Sequence, residues 1–229
     1  MTQFSRHRLF WSIYARIYDQ LWDTPHLEAV CAHIDSALPA GEPVLDVGAG
    51  TGIVTSHLMR SGRAVVAGEP DPAMAERFTR RHPDVPLVRS VLAELPAVPG
   101  SHVVAVNVLH LLDDPIGGLR RLRELSGPDR LVVVVTPDPT AGLLDLAAAQ
   151  RRAGVPPWRV ARFVLWHMLL APLAVLCGVS SRLRLDWYRD VEAQFRAACR
   201  SGICEQFGQP RRIADTYLML VLPGLGEPA

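Results

Sequence analysis

The feature that most constrains this chain is a run of three alternate glycines directly after a short apolar segment. Residues 44–47 have the apolar character of a buried parallel strand. A helix-compatible segment at 54–60 follows the three glycines, which are Gly48, Gly50 and Gly52. Because glycine has no Cβ, the chain can turn sharply there, and a ligand can approach the free N–H groups of the first helical turn. The sequence therefore predicts a strand, a ligand-binding turn and a helix.

The spacing of these glycines narrows the choice of ligand. A dinucleotide fingerprint starting at Gly48 would need glycine at Ile53, and a phosphate-binding P-loop needs a lysine, which the chain lacks altogether. The pattern D-x-G-x-G-x-G resembles motif I of the class I S-adenosylmethionine (SAM) methyltransferases. The resemblance implies SAM as cofactor, with contacts from Asp46, Gly48, Ala49, Gly50 and Gly52.

A second match lies twenty-one residues beyond Gly48. The apolar run 64–68 is typical of a buried strand, and Glu69 follows it. In the family, an acid at this strand end accepts hydrogen bonds from both ribose hydroxyls. The resemblance also implies that Pro70 lies flat against the adenine. Asp71 and a following proline then predict the start of a helix that runs to residue 81.

The segment 90–96 departs from the family pattern. An aspartate that binds the adenine amino group is common in these enzymes, and Val91 occupies that position here. Two interpretations stay open: backbone groups of Val91 and Leu92 bind the adenine, or Glu94 reaches it.

The fourth match is an apolar strand that stops at Asn107. The loop beyond it passes between methionine moiety and acceptor in the family, which implies cofactor contacts from Asn107 and Val108. His110 is then the best-placed imidazole, as a general base or a substrate contact. The alternative is a histidine that merely closes a structural junction.

The order of the elements predicts an α/β fold with a single domain over residues 1–229. We expect a Rossmann-like, doubly wound, seven-stranded sheet, parallel except for its last strand. The fifth strand is 131–135, a helix covers 185–200, and strands 202–207 and 216–222 form a closing hairpin around 208–210.

Residues 1–40 are predicted to form two helices that cap the cofactor pocket. The segment Tyr14 to Asp19 is similar to the Tyr-Asp entry segment of ubiquinone and menaquinone biosynthesis methyltransferases. This resemblance implies Tyr14 and Tyr18 as substrate-binding or catalytic side chains. The alternative is a helix that only packs on the sheet.

Residues 140–184 are too many for a bare strand-to-helix loop, so we expect an inserted lid. Its core, 163–177, is almost wholly apolar, which predicts acceptor contacts from Phe163, Trp166 and His167. Two alternatives remain: a buried packing helix, or peripheral membrane contact through 160–178.

Charge and cysteine usage exclude several other functions. The 24 basic and 23 acidic residues are scattered, which predicts no nucleic-acid partner, and pairs such as Arg80–Arg81 and Arg211–Arg212 are interpreted as solvated. The four cysteines form no C-x-x-C pair, so we expect no metal site. The arginines and Asp19 interrupt the N-terminal apolar run, so we expect no secretory signal. We therefore expect a cytoplasmic location.

These patterns together predict SAM-dependent methyl transfer to oxygen, carbon or nitrogen of a small, largely hydrophobic molecule in quinone, isoprenoid or specialised metabolism. The alternative is a SAM-binding protein of the same fold that no longer transfers methyl and acts as a cyclase or binding module. Nothing in the sequence indicates an oligomeric state.

Overall fold

The computed structural model describes residues 3–112, 114–138, 140–177 and 211–224, without the side chains of residues 3–8 and Pro223. Seven strands form one sheet in the order β3-β2-β1-β4-β5-β7-β6. Only β7 runs antiparallel to its neighbours, which confirms the predicted sheet. The strands are β1 Val44–Val47, β2 Val65–Gly68, β3 Leu87–Val88, β4 His102–Val106, β5 Leu131–Pro137, β6 Arg211–Ile213 and β7 Tyr217–Pro223.

Seven described α-helices accompany the strands. They are α1 Gln3–Trp22, α2 Pro25–Ala37, α3 Ile53–Arg60, α4 Pro72–Arg81, α5 Pro115–Leu125, α6 Leu143–Arg152 and α7 Pro157–Leu176. Side-chain oxygens cap three of these helices at their N-termini, and a proline begins each of the three. The capping residues are Thr24, Asp71 and Asp114.

The central strands are buried on both faces because alternate side chains enter two separate cores. One core takes Val44, Val104 and Val133 and packs them with side chains of α1, α2, α3, α6 and α7. The other takes Leu45, Val103 and Val132 and packs them mainly with α5. The two N-terminal helices therefore lie on the same face of the sheet as the inserted pair α6 and α7.

The predicted C-terminal hairpin differs from the observed one. Strand β6 is Arg211–Ile213, and the turn is residues 214–216, where Ala214 and Asp215 adopt positive φ. The glycine and proline at 208–210 gave a stronger local turn signal than these residues do. The predicted helix 185–200, strand 202–207 and turn 208–210 lie outside the described residues, as does the end of the predicted insertion.

Helix α7 is unusual among the described helices. By length and composition alone, it is long and apolar enough to cross a bilayer, and no other described helix is.

Candidate functional site

The glycine loop lies where the sheet reverses its strand order. Strand β1 sits between β2 and β4, so the loop after β1 is flanked by the ends of both neighbours. Such a crevice at the carboxyl ends of parallel strands is the usual ligand site of doubly wound sheets. The topology therefore places the predicted motif residues of all three strands at one edge.

The loop backbone needs its glycines for both conformation and space. Gly48 and Gly52 have φ values of 70° and 86°, in the left-handed region. A Cβ on Gly48 would stand 2.4 Å from Cγ2 of Val108, and one on Gly52 would stand 2.6 Å from the ring of His82. Val108, two residues beyond the end of β4, thus packs directly on the loop, and its contact with the cofactor stays a prediction.

Glu69 closes the other side of the loop. Its carboxylate accepts a hydrogen bond from the backbone N–H of Gly50 at 2.8 Å and another from that of Asp71 at 2.8 Å. Burial raises the pKa of Glu69 to about 7, although both backbone hydrogen bonds lower it. Each carboxylate oxygen keeps a further acceptor position, so the side chain remains able to bind hydroxyl donors.

Asp46 has a different role in the structure from the glycines beside it. It is buried, and one of its oxygens accepts a hydrogen bond from the Thr55 hydroxyl at 2.6 Å. Burial raises the pKa of Asp46 to about 6, and the Thr55 hydrogen bond opposes that rise. The pair ties β1 to α3 across the loop; a cofactor contact from Asp46 stays a prediction. Ala49 is also buried and packs with Ala67 and Phe78.

Asn107 carries a buried polar atom that suits a ligand. It adopts a φ of 59°, and its backbone N–H donates to the carbonyl of Val135 at 2.8 Å. Its side-chain oxygen is buried and has no hydrogen-bond partner among the described residues. A buried carbonyl without a donor is costly, so this atom fits a ligand that brings an N–H or O–H group.

The loop after Asn107 holds His110 in a short 3-10 helix, Leu109–Leu111. His110 is half-buried and lies four residues beyond the end of β4. This position agrees with either interpretation of His110, and its role as a base stays a prediction.

The residues predicted to contact the adenine are mostly exposed. Val91 is exposed and precedes the 3-10 helix Leu92–Glu94, and the carbonyl of Leu92 accepts a hydrogen bond from Arg121 at 3.4 Å. Pro70 and Glu94 are exposed. The choice between backbone groups and Glu94 stays open.

Helix α1 brings an aromatic side chain to the glycine loop. The Tyr18 ring would be 3.9 Å from a Cβ built on Gly50, an ordinary contact distance. Burial raises the pKa of Tyr18 well above its usual value, and the nearby Tyr14 and Tyr217 add to the rise. Tyr18 therefore keeps its proton at neutral pH and offers a hydrogen-bond donor and an aromatic surface, not an anionic base.

An aromatic row connects the loop to α7. Centroid distances are 5.3 Å from Tyr14 to Tyr18, 6.4 Å from Tyr18 to Trp22 and 5.6 Å from Trp22 to Phe163. The ring of His167 lies 4.0 Å from that of Phe163. The structure thus brings together four of the predicted substrate residues: Tyr14, Tyr18, Phe163 and His167. We define these four with Trp22 as the aromatic row.

The other predicted lid residue, Trp166, is partly buried against the core that α1 shares with α7. Phe163 is only 1% exposed, so packing explains its position without any ligand.

Arg81 corrects one interpretation of the sequence. Its guanidinium donates to Asp19 of α1 at 3.0 Å and to the carbonyl of Thr51 at 3.2 Å, so it is not a solvated helix end. Arg80, its neighbour, does form an exposed pair with Glu76. The partners of Arg81 are remote in the chain, so no local sequence pattern predicts its contacts. The Tyr-Asp segment, which holds Asp19, was the one sequence feature that pointed to them.

His82 is a second residue that the sequence did not single out. Its Nε2 lies 2.9 Å from the carbonyl of Gly52 and 3.0 Å from the Ser56 hydroxyl. It therefore supports the glycine loop from α4.

At the C-terminus, Arg212 is also paired, since it contacts Asp138.

Comparisons with known proteins identify the family. A family model described as a methyltransferase domain matches residues 14–181. An uncharacterised methyltransferase of Mycobacterium tuberculosis is 29% identical over 175 residues, which cover 74% of this chain and 76% of that protein. A malonyl-[acyl-carrier protein] O-methyltransferase of Halorhodospira halophila is 35% identical over 188 residues, covering 76% of this chain and 62% of the relative's length.

Two solved structures resemble the whole chain in fold. A protein of Methanococcus maripaludis described as a SAM-dependent methyltransferase matches with a TM-score of 0.63 and 10% identity, and the match covers 96% of each chain. A SAM-dependent methyltransferase of Aquifex aeolicus matches with a TM-score of 0.52 and 14% identity, over 98% of this chain and 100% of its own.

Proposed function

Because this chain belongs to the methyltransferase-domain family and is a SAM-dependent methyltransferase, we propose that it methylates oxygen, carbon or nitrogen of a small, largely hydrophobic molecule. The observation that supports this substrate class best is the aromatic row, which begins beside Gly50 and extends to α7. Aromatic faces bind apolar and aromatic groups with little need for polar partners.

The residues at the loop suit the cofactor's polar groups. Glu69 has acceptor positions for the two ribose hydroxyls, and the buried Asn107 oxygen suits a donor such as the amino group. The left-handed turn at Gly48 leaves backbone exposed for a close approach. The adenine is assigned to the space between Pro70 and the backbone of Val91 and Leu92.

SAM supplies an already activated methyl group on a sulfonium. The chain's own contribution is therefore to align the acceptor and to exclude water. Tyr18, which keeps its proton, orients the acceptor by its ring and hydroxyl. We assign His110 the role of general base for acceptors that are protonated at the working pH.

The acceptor atom and pathway are narrower proposals. The Tyr-Asp segment supports a quinone or prenyl acceptor, whereas similarity to a malonyl-[acyl-carrier protein] O-methyltransferase supports a carboxylate oxygen. The aromatic row suits the apolar body of a quinone or prenyl acceptor, so we favour that class.

The deciding experiment measures transfer of labelled methyl from SAM to a panel of acceptors. The panel contains lipophilic phenols, quinones, prenyl compounds, medium-chain dicarboxylic thioesters and small polar amines. We expect turnover within the apolar part of the panel. Preference for the polar amines would contradict the proposed substrate class, and SAM binding without transfer to any acceptor would contradict the reaction.

A further inference from the structure

Helix α7 carries a continuous apolar face that no described residue covers. Six large apolar side chains on it are 44–71% exposed: Trp158, Leu165, Met168, Leu169, Val175 and Leu176. Val160, Phe163 and Leu170 point the opposite way and are buried, and Phe163 and Leu170 belong to the core shared with α1. In an 18-residue window of this helix, only 17% is buried. The outer face therefore exposes more apolar surface than scattered surface residues do.

The charges around this face have one sign. Between residues 146 and 177 the chain has four arginines and neither aspartate nor glutamate. Three are engaged within the domain: Arg151 with the carbonyl of Val155, Arg152 with Asp215 and Arg159 with the carbonyl of Asp23. The guanidinium of Arg162 lies 5.2 Å from the centroid of the exposed Trp158 ring. Basic residues and tryptophan at one end of an apolar helix suit an anionic lipid surface.

We propose that the outer face of α7 docks on a bilayer that contains anionic lipids. The helix lies in the plane of the interface, because its inner face is occupied by α1 and it cannot be surrounded by lipid. Apolar side chains of the outer face enter the acyl region, while Trp158 and Arg162 stay at headgroup level. The arginine-rich, acid-free segment makes the attraction sensitive to salt.

Docking has a consequence that rests on the proposed function. Phe163 and His167, on the inner face of α7, form the end of the aromatic row. The same helix would therefore lie between the bilayer and the acceptor site. A lipophilic acceptor dissolved in the membrane could then reach the site without crossing water.

The test is co-sedimentation of the full chain with vesicles of phosphatidylcholine alone or with phosphatidylglycerol added. We expect binding to the mixed vesicles that weakens in high salt, and much less to the neutral ones. Met168→Ser should reduce binding, and Leu165→Ser with Leu169→Ser should reduce it about tenfold or more, because several buried CH2 groups are lost. Met59→Ser, an exposed methionine on α3, is the matched control and should bind like the original chain.

Other results would overturn the proposal. They are absence of the original chain from both vesicle pellets, equal loss in Met59→Ser and Met168→Ser, or a dimer that the double substitution dissociates. The last would identify a second copy of the chain as the occupant. Calorimetric SAM binding of each variant separates this test from the proposed function, since outer-face substitutions should leave cofactor affinity unchanged.

Discussion

The Asp19 carboxylate on α1 accepts a hydrogen bond from the hydroxyl of Thr51 in the glycine loop, with the two oxygens 2.5 Å apart. Arg81 of α4 donates to the same carboxylate and to the backbone carbonyl of Thr51. Three segments that are distant in sequence therefore meet at one carboxylate. Helix α1 is fixed to the loop by this contact as well as by apolar packing.

Replacing Asp19 with alanine should destabilise the fold and weaken SAM binding. Thr51 is 1% exposed, so its hydroxyl would lose its acceptor in a buried site, at a cost of about 1–3 kcal/mol. Denaturant unfolding and calorimetry measure the two effects. The control is Glu76→Ala, whose pair with Arg80 is exposed and should contribute less than about 1 kcal/mol. Equal losses in both variants would contradict a specific role for Asp19.

Gly48→Ala should abolish measurable SAM binding. The new Cβ combines an unfavourable positive φ with a contact of 2.4 Å to Val108. Adding Val108→Ala removes the steric contact but not the backbone strain, so binding should recover in part. Gly62→Ala is the control, because Gly62 also has positive φ, at 81°, but nothing lies within 4 Å of its Cβ. Full affinity in Gly48→Ala would contradict the placement of the cofactor at this loop.

SAM affinity should increase as pH rises through 7. The folded-state pKa of Glu69, about 7, lies above its ordinary value of 4.5. The stability of the free protein therefore falls as pH rises from 4.5 to 7, because the unfolded chain ionises this carboxyl there while the folded chain still holds the proton. The ionised form is the better acceptor for ribose hydroxyls, so binding should be roughly tenfold weaker at pH 6 than at pH 8. Calorimetry on Glu69→Gln should show a much flatter profile over this range. Asp46, whose pKa is about 6, ionises in a similar pH range in both proteins, so its contribution is common to the two profiles.

His110→Ala should lower kcat by on the order of a hundredfold for an acceptor that must lose a proton, as removal of a general base does. SAM affinity should change little. The pH–rate profile should lose its acidic limb in this variant, whereas His33→Ala on α2 should leave it intact. Normal turnover of His110→Ala at every pH would show that alignment alone accounts for the chemistry.

The two lid positions on α7 should behave differently. Phe163→Ala should cost about 3–5 kcal/mol of stability, because the ring is buried against Trp22. Trp166→Gln is the sharper test of acceptor binding, since Trp166 is only partly buried. We expect it to raise KM for an apolar acceptor and to leave SAM affinity nearly intact. Unchanged KM would remove Trp166 from the acceptor site.

The predictable part of this site is the part that local spacing determines. Gly48, Glu69 and Asn107 each follow a buried strand, and parallel strands bring their carboxyl ends to one edge. Burial of β1, β4 and β5 on both faces likewise follows from continuous apolar runs. These features needed no knowledge of long-range contacts.

The missed part depends on tertiary contacts. Arg81 looks like one half of a surface pair until α1 places Asp19 beside it. The hairpin turn at 214–216 lacks glycine, proline and asparagine, so its position depends on how β6 and β7 pair in the sheet. Local residue preference cannot give either result, because both are set by segments that meet only after folding.

Helix α1 contacts the glycine loop through Asp19 and carries Tyr14 and Tyr18, which we propose line the acceptor side. One rigid element that contacts two ligands couples their binding energies. Whatever factor SAM adds to acceptor affinity, the acceptor must add to SAM affinity, because the two paths to the ternary complex close a thermodynamic cycle. We therefore expect each ligand to raise the affinity of the other by the same factor, and Asp19→Ala should bring that factor close to one.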